Sequence, residues 1–421
     1  MGWRCGAARC FLLGVATTLP LLGCGADGMD GNSSAVGSVV RQDSAGVEIV
    51  AVTIDRGAAP AYAVFDTTPE LRLGSLVGSA GDVFGRIEDV LVLRGGGLAV
   101  LDGLSAEVRF FDAQGRFEGS VGGKGDGPGE FQSPVALVEL PGDTFAVFDP
   151  VPRRITRFGP DRAFASATTL DDPGAFISAA RFLSDGTVVS QSHRASTADR
   201  PPPVEPTVVR DTVVLTSFDE TGRVVDTIDV VASREDIVSI QISPGAVSVR
   251  KRQPSFARTN HFAPAPAGLW SSSNDSFELR LRDVQGGRLS RIVRVFGLER
   301  AATGEVAEVL YQQALSDAES AEERNWLRSW FELSPIPELQ PAYDILEVDG
   351  AGRLWVREWT PMADGRVWWI FAPDGAPLGS TIVPSAMRIT SVQCGSVVGV
   401  EQDEFGVDYV VRYAVRERGE C

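Results

Sequence analysis

Histidine is almost missing from this chain: His193 and His261 are the only two. No Cys-x-x-Cys pair or mixed Cys/His spacing accompanies them, so a histidine cluster or a zinc site of that kind is excluded. Lysine is equally scarce, with only Lys124 and Lys251, and arginine carries the rest of the positive charge. That preference reflects genome base composition more readily than mechanism. There is no Gly-x-Ser-x-Gly nucleophile elbow and no phosphate-binding glycine loop ahead of a helix. Gly122-Gly-Lys-Gly125 is glycine-rich but falls between strands and reads as a turn. The formal net charge is −17. A surface that negative suits neither nucleic acid nor anionic headgroups; it gives solubility, or attracts a cationic or metal partner.

Long apolar runs are absent too, with one short exception. Phe11 to Leu22 follows Arg4 and Arg9 and is about a dozen residues long. That is short for a bilayer span and right for the core of a signal peptide. It ends in Leu21-Leu22-Gly23-Cys24, which resembles the lipobox of bacterial lipoproteins. The resemblance implies cleavage after residue 23 and a lipid on Cys24. Gly25 follows, with no Asp to favour inner-membrane retention, so an outer membrane is expected where a cell has two. Residues 24–46 are rich in Gly, Ser, Ala and Asp and read as a flexible tether. Cleavage would remove Cys5 and Cys10, leaving Cys394 and Cys421 as a candidate disulfide in an oxidising compartment.

From about residue 71 to 415 one pattern recurs. An alternating apolar strand leads to a glycine turn, a second strand, a third ending in aromatic-Asp, and a fourth. The clearest unit runs Arg86 to Leu93, Leu98 to Asp102, Val108 to Asp112 and Gly115 to Gly119. Others centre on Val135 to Phe158, Ala180 to Asp219, Gly268 to Phe296, Tyr343 to Phe371 and Ile389 to Tyr413. Period-two strands broken by Gly, Pro and Asp turns indicate small antiparallel sheets. Such sheets bury their faces only by stacking radially, as in a propeller. The sixth unit has three strands before the chain ends. Leu71 to Val77 is placed to supply the fourth, which would close the ring and remove two sheet edges. The expectation is an all-β, six-bladed β-propeller over residues 47–421.

Gly125-Asp-Gly-Pro-Gly-Glu-Phe131, then Ser133-Pro134, Asp149 and Arg154-Ile155, resembles an NHL-type repeat. The whole chain is similar to bacterial six-bladed propeller lipoproteins related to NHL proteins. The resemblance implies a fold far more than a function.

Two segments interrupt the pattern. Residues 196–207 are proline-rich and read as a long loop in blade three. Residues 301–335 switch to helical spacing, with a capping box at Ser320 and Glu323 and an apolar face of Trp326, Leu327, Trp330 and Phe331. This predicts a short helical insertion between blades four and five.

Propellers bind where the loops between blades converge on the channel. The candidates there are Arg86, Glu88, Asn260, His261, Tyr343, Asp344 and Arg388, with Ser133 and Ser178 nearby. Glu88, Asp89 and Asp344 offer oxygen ligands of the kind Ca²⁺ prefers; otherwise no cofactor is expected. Three functions follow: a monomeric envelope-anchored binding module for a protein or small molecule, with the membrane reached through the lipid; a metal-dependent hydrolase or lactonase at the channel; or an assembly lipoprotein acting through the helical insertion. Nucleic acid is not an expected partner.

Overall fold

The computed structural model describes residues 30–34, 36–78, 81–171, 176–183, 186–194, 207–243, 246–361, 363 and 365–418. Six sheets, each built on four antiparallel strands, follow one another along the chain. Their first strands are Ile87–Val92, Ala136–Leu140, Phe176–Phe182, Asn260–Ala265, Tyr343–Val348 and Met387–Gln393. One cavity is lined by residues of all six. The first strands therefore ring a common axis, and later strands of each sheet step outward. The chain is a six-bladed β-propeller.

Between the blades lie apolar seams. Phe110, Phe145 and Phe158 pack in the seam between blades one and two, with the rings of Phe145 and Phe158 stacked at 4.8 Å. Trp355, Trp368 and Ile370 fill the seam between blades five and six. Each is an inward position of the period-two pattern, so alternation in sequence becomes burial between neighbouring sheets.

In blades one and two a buried carboxylate ties the entry loop into the blade. Asp102 is 1% exposed and accepts hydrogen bonds from the backbone N–H groups of Gly85 (2.9 Å), Arg86 (3.1 Å) and Leu104 (3.0 Å). Asp149 does the same for Gln132 (2.6 Å) and Ser133 (3.2 Å). In blade four the amide oxygen of Asn274 takes this place, accepting from Thr259 N–H at 2.8 Å. All three stand at or just past the end of the second strand of their blade, and their role is to satisfy backbone donors of the entry loop.

The ring closes as the pattern predicts, through a shorter strand. Leu71–Leu73 pairs antiparallel with Val410, Val411 and Arg412 of the last strand. A second segment, Ala63–Phe65, pairs further along that strand with Val415, Arg416 and Glu417. Residues from both ends of the described chain thus share blade six.

The expected tether over 24–46 is corrected in its second half. Gly37–Ser44 is a strand, hairpinned to Val47–Ile54. Val47–Ile54 then runs parallel to Leu289–Phe296, the fourth strand of blade four, extending that sheet outward. The polar composition concealed a two-residue turn: Ala45 and Gly46 both have positive φ (54° and 81°), as a tight hairpin requires. Val50 and Val52 are fully buried against the blade-five side. Arg41 adds ion pairs to Glu48 at 2.6 Å and to Asp374 of blade five at 2.7 Å.

The insertion comprises two helices, α1 (Gly304–Ser316) and α2 (Ala321–Leu333). Ser320 caps α2, its hydroxyl accepting from Glu323 N–H at 3.1 Å. The aromatic face is used up in packing. Leu327 and Trp330 are buried with Ile237 of blade three, and Trp330 Nε1 donates to Gln253 O at 2.9 Å. The Arg252 guanidinium lies over the Trp330 ring at 4.7 Å. Residues 195–206, which hold most of the proline-rich segment, lie outside the described residues, and so does the lipobox with Cys24. Among the described residues no helix is long and apolar enough to cross a membrane.

Candidate functional site

The axial cavity has a volume of about 370 Å³. Five of its lining residues are ionisable: Glu88 and Asp89 from blade one, Arg181 from blade three, Glu347 from blade five and Arg388 from blade six. Blades two and four contribute only apolar residues, such as Val135, Leu137, Ala263 and Pro264.

The two inner carboxyls differ in their partners. Asp89 accepts from its neighbour Val90 N–H and from Leu137 N–H of blade two, each at 2.9 Å. Burial nevertheless raises its pKa, against the pull of those donors and of Arg181 and Arg388. Glu347 accepts no hydrogen bond from protein among the described residues. Burial lifts its pKa from 4.5 to about 7, with Arg181 opposing the shift and Asp89 reinforcing it. Both side chains touch the channel lumen and are partly covered, and the protein packed around the channel sets the desolvation.

The guanidiniums are not paired with these acids. Arg388 donates across the seam to two blade-one carbonyls, Glu88 O at 3.0 Å and Ile87 O at 2.7 Å. Arg181 donates one N–H to Ala180 O at 3.2 Å. Among the described residues neither makes an ion pair with a carboxylate, and both remain exposed to the lumen. Two fixed cations and two unusually basic carboxyls therefore face one small volume without cancelling in contact pairs.

A testable consequence concerns stability. Glu347 binds its proton more tightly when folded than when unfolded. Its favourable contribution is present below about pH 4.5 and is lost as pH rises through about 7. Glu347→Gln is therefore expected to raise the melting temperature at pH 8 and to leave it nearly unchanged at pH 4.5. Melting curves at both pH values check this, and equal shifts at both would contradict it.

Of the sequence-derived candidates, Glu88 and Arg388 line the cavity. Arg86 pairs with Glu88 and joins Arg388 around an open depression at the mouth, between blades six and one. Gly103 matters here: a Cβ on it would lie 2.6 Å from Glu88 Cγ, so its bareness gives the Glu88 side chain room. The other four candidates lie in first strands but do not line the cavity, and they hold the blades together. Asn260 donates to Gln191 Oε1 of blade three at 2.8 Å. Asp344 is bound by Arg357 through two bonds of 2.6 and 2.9 Å. His261 packs on the Tyr343 ring at 5.5 Å, and burial, helped by Arg357, lowers its pKa to about 4, so it is neutral at physiological pH. The expected trio of Glu88, Asp89 and Asp344 does not converge, because Asp344 is committed to Arg357. Among the described residues no group of three or more His, Cys, Asp or Glu side chains is arranged to hold a metal ion.

Sequence reasoning missed Glu347 and Arg181. Each is a charge inside an apolar first strand, in Tyr343-Asp-Ile-Leu-Glu-Val348 and in Ala180-Arg-Phe-Leu183. Comparing the six first strands with one another, instead of searching the loops, would have exposed both.

A second cavity, of about 230 Å³, lies between blade four and the approach to blade five. Its walls are apolar, including Phe277, Phe296, Leu298, Leu339 and Trp359, and its acids are already engaged. Glu358 is held by Arg56 and Arg300, and Glu278 by Arg280 and Arg294. The open valences are in the axial channel.

No protein-family model matches the sequence, and neither does any curated protein. Solved structures are similar in outline. A Bacteroides fragilis protein named as exported aligns with a TM-score of 0.49 at 10% identity, covering 88% of this chain and 100% of its own. A Bacteroides vulgatus protein of the DUF4221 family gives 0.47 at 10% identity, covering 84% and 99%. An aldose sugar dehydrogenase of Streptomyces coelicolor, in its PQQ-bound form, gives 0.42 at 12% identity, covering 85% and 100%. None of them lends residue roles to this chain.

Proposed function

We propose that this chain is an exported, lipid-anchored propeller that binds a small polar ligand in its axial channel. The observation that carries the binding is the carboxyl of Glu347 facing the guanidinium of Arg181 across one cavity, with no hydrogen bond to the first and no carboxylate on the second among the described residues. Buried or half-buried polar groups with unused hydrogen-bonding capacity are costly unless water or a ligand meets them. Convergent polar groups in a concavity of this size are what small-molecule sites have. The test is a panel of polar small molecules screened by thermal shift against the wild type and an Arg181→Gln/Glu347→Gln double variant. A compound that stabilises only the wild type supports the reading. Compounds that stabilise both equally, or none that stabilises either, overturn it.

Anchoring rests on the lipobox-like run ending at Cys24. Cys24→Ser is expected to move the protein from the membrane to the soluble fraction, as read by fractionation. A variant that stays wholly with membranes sinks the anchor. In an oxidising compartment we also pair Cys394 with Cys421. Cys394 sits at the turn after the first strand of blade six and is disulfide-bonded. Cys421 lies outside the described residues. Peptide mapping without reduction identifies the partner.

A further inference from the structure

Resting on the channel reading above, we propose that the ligand is a small carboxylate, held on Arg181 beneath the positive charge of Arg388, and that it enters together with one proton taken up by Glu347.

Around the cavity the fixed cations are Arg181 and Arg388; Glu88 is neutralised by Arg86 at the mouth. Asp89 and Glu347 are the acids that face them, and blades two and four add no ionisable lining residue. With both acids ionised the cavity is neutral. With Glu347 protonated it carries one net positive charge, and a monoanion restores neutrality. Anion and proton thus favour each other's entry, because each removes the charge the other creates.

Geometry selects a carboxylate among anions. Arg181 spends one N–H on Ala180 O and keeps its remaining donors free of protein partners among the described residues. A guanidinium offers two parallel N–H groups to a planar carboxylate. Arg388 is held by two backbone carbonyls, which leave its charge uncancelled. A protonated Glu347 changes from acceptor to donor, and so adds a hydrogen bond to the same anion. The burial that favours this protonation acts in the free protein near neutral pH.

Acetate is the probe, with ethylammonium as the cationic control and chloride as a spherical anion, measured by calorimetry on the purified full chain. If only the Glu347-protonated form binds, affinity for acetate falls about tenfold from pH 6 to pH 8. Titrations at pH 7 in two buffers of different ionisation enthalpy are expected to show net proton uptake. Glu347→Gln is expected to bind acetate with the pH 6 affinity at both pH values. Arg181→Gln is expected to lose about tenfold or more at either. The proposal is overturned by a wild-type affinity that is flat in pH, by acetate binding that survives Arg181→Gln, by chloride binding as tightly as acetate, or by a preference for ethylammonium. If another polar compound from the thermal-shift panel occupies the channel while acetate does not, the carboxylate assignment falls and the binding reading stands. If nothing occupies it, both fall.

Discussion

Arg353→Met is expected to destabilise the protein by about 3–5 kcal/mol, the size found when one partner of a buried ion pair is removed. Arg353 is 7% exposed and sits just after the Asp349-Gly350 turn of blade five. Its Nε donates to Asp349 Oδ2 at 2.5 Å, and its Nη1 to Glu417 Oε2 at 2.7 Å and to the Tyr62 hydroxyl. Asp349 is itself buried and also accepts from Trp355 Nε1 at 2.9 Å. Methionine fills much of the space and removes the charge, leaving two carboxylates in a dry seam. The effect is large because of where the network lies. Tyr62 comes from the segment before the first blade, Glu417 from the last strand, and Arg353 from the neighbouring blade, so one guanidinium joins both ends of the ring. Urea denaturation gives the number. Lysine at 353 keeps a charge without the planar fork and is expected to recover only part of the loss. A loss below about 1 kcal/mol for Arg353→Met would mean that closure rests on the strand pairing of Leu71–Leu73 and Ala63–Phe65 alone.

Strand pairing and ion pairing at this seam show which parts of the fold a sequence discloses. The repeat was legible because each blade must hide the same inward positions, and hiding them imposes period-two alternation. Completion by Leu71–Leu73 was legible because the last unit lacked a strand. The Gly37–Ser44 strand was not, since only Val39 of its residues is buried and most of the others are polar. Its pairing is set by a tight turn to Val47–Ile54, which is itself held by a parallel neighbour far along the chain, Leu289–Phe296. Local pattern carries little of that information.

The candidate site was half legible for a related reason. Loops were searched because propellers bind at their mouths, and this found Arg86, Glu88 and Arg388. The deeper pair, Glu347 and Arg181, gains meaning only when two strands far apart in sequence are brought around one axis. His261 drew notice as a rare residue, but its place in a strand against Tyr343 makes it part of the packing. Rarity in composition is a weak guide; a charge in an apolar first strand is a stronger one, because it needs a reason to be there.

Asp102 is the carboxylate that holds the loop at the channel's entrance in blade one. Asp102→Ala is expected to lower stability by about 2–4 kcal/mol and to weaken whatever the channel binds. Four backbone donors, on Gly85, Arg86, Leu104 and Ser105, lose their acceptor at once. Each buried donor left unmet costs about 1–3 kcal/mol, reduced where the loop can shift to reach water. Arg109, 7% exposed and 3.2 Å from Asp102, also loses a carboxylate, although Glu107 and Val83 O still hold it. The functional part follows from sequence order: Gly85 and Arg86 lead directly into Glu88 and Asp89, and Arg388 is fixed on the carbonyls of Ile87 and Glu88. Releasing that loop loosens the platform that holds one of the two channel cations. Asp102→Asn retains one acceptor oxygen and is expected to lose less on both counts. Denaturant titration and ligand affinity, measured on the same two variants, separate the effects. If stability falls while affinity holds, the mouth loop does not position the site. If both fall in step, the same carboxylate that pins the blade also shapes the channel.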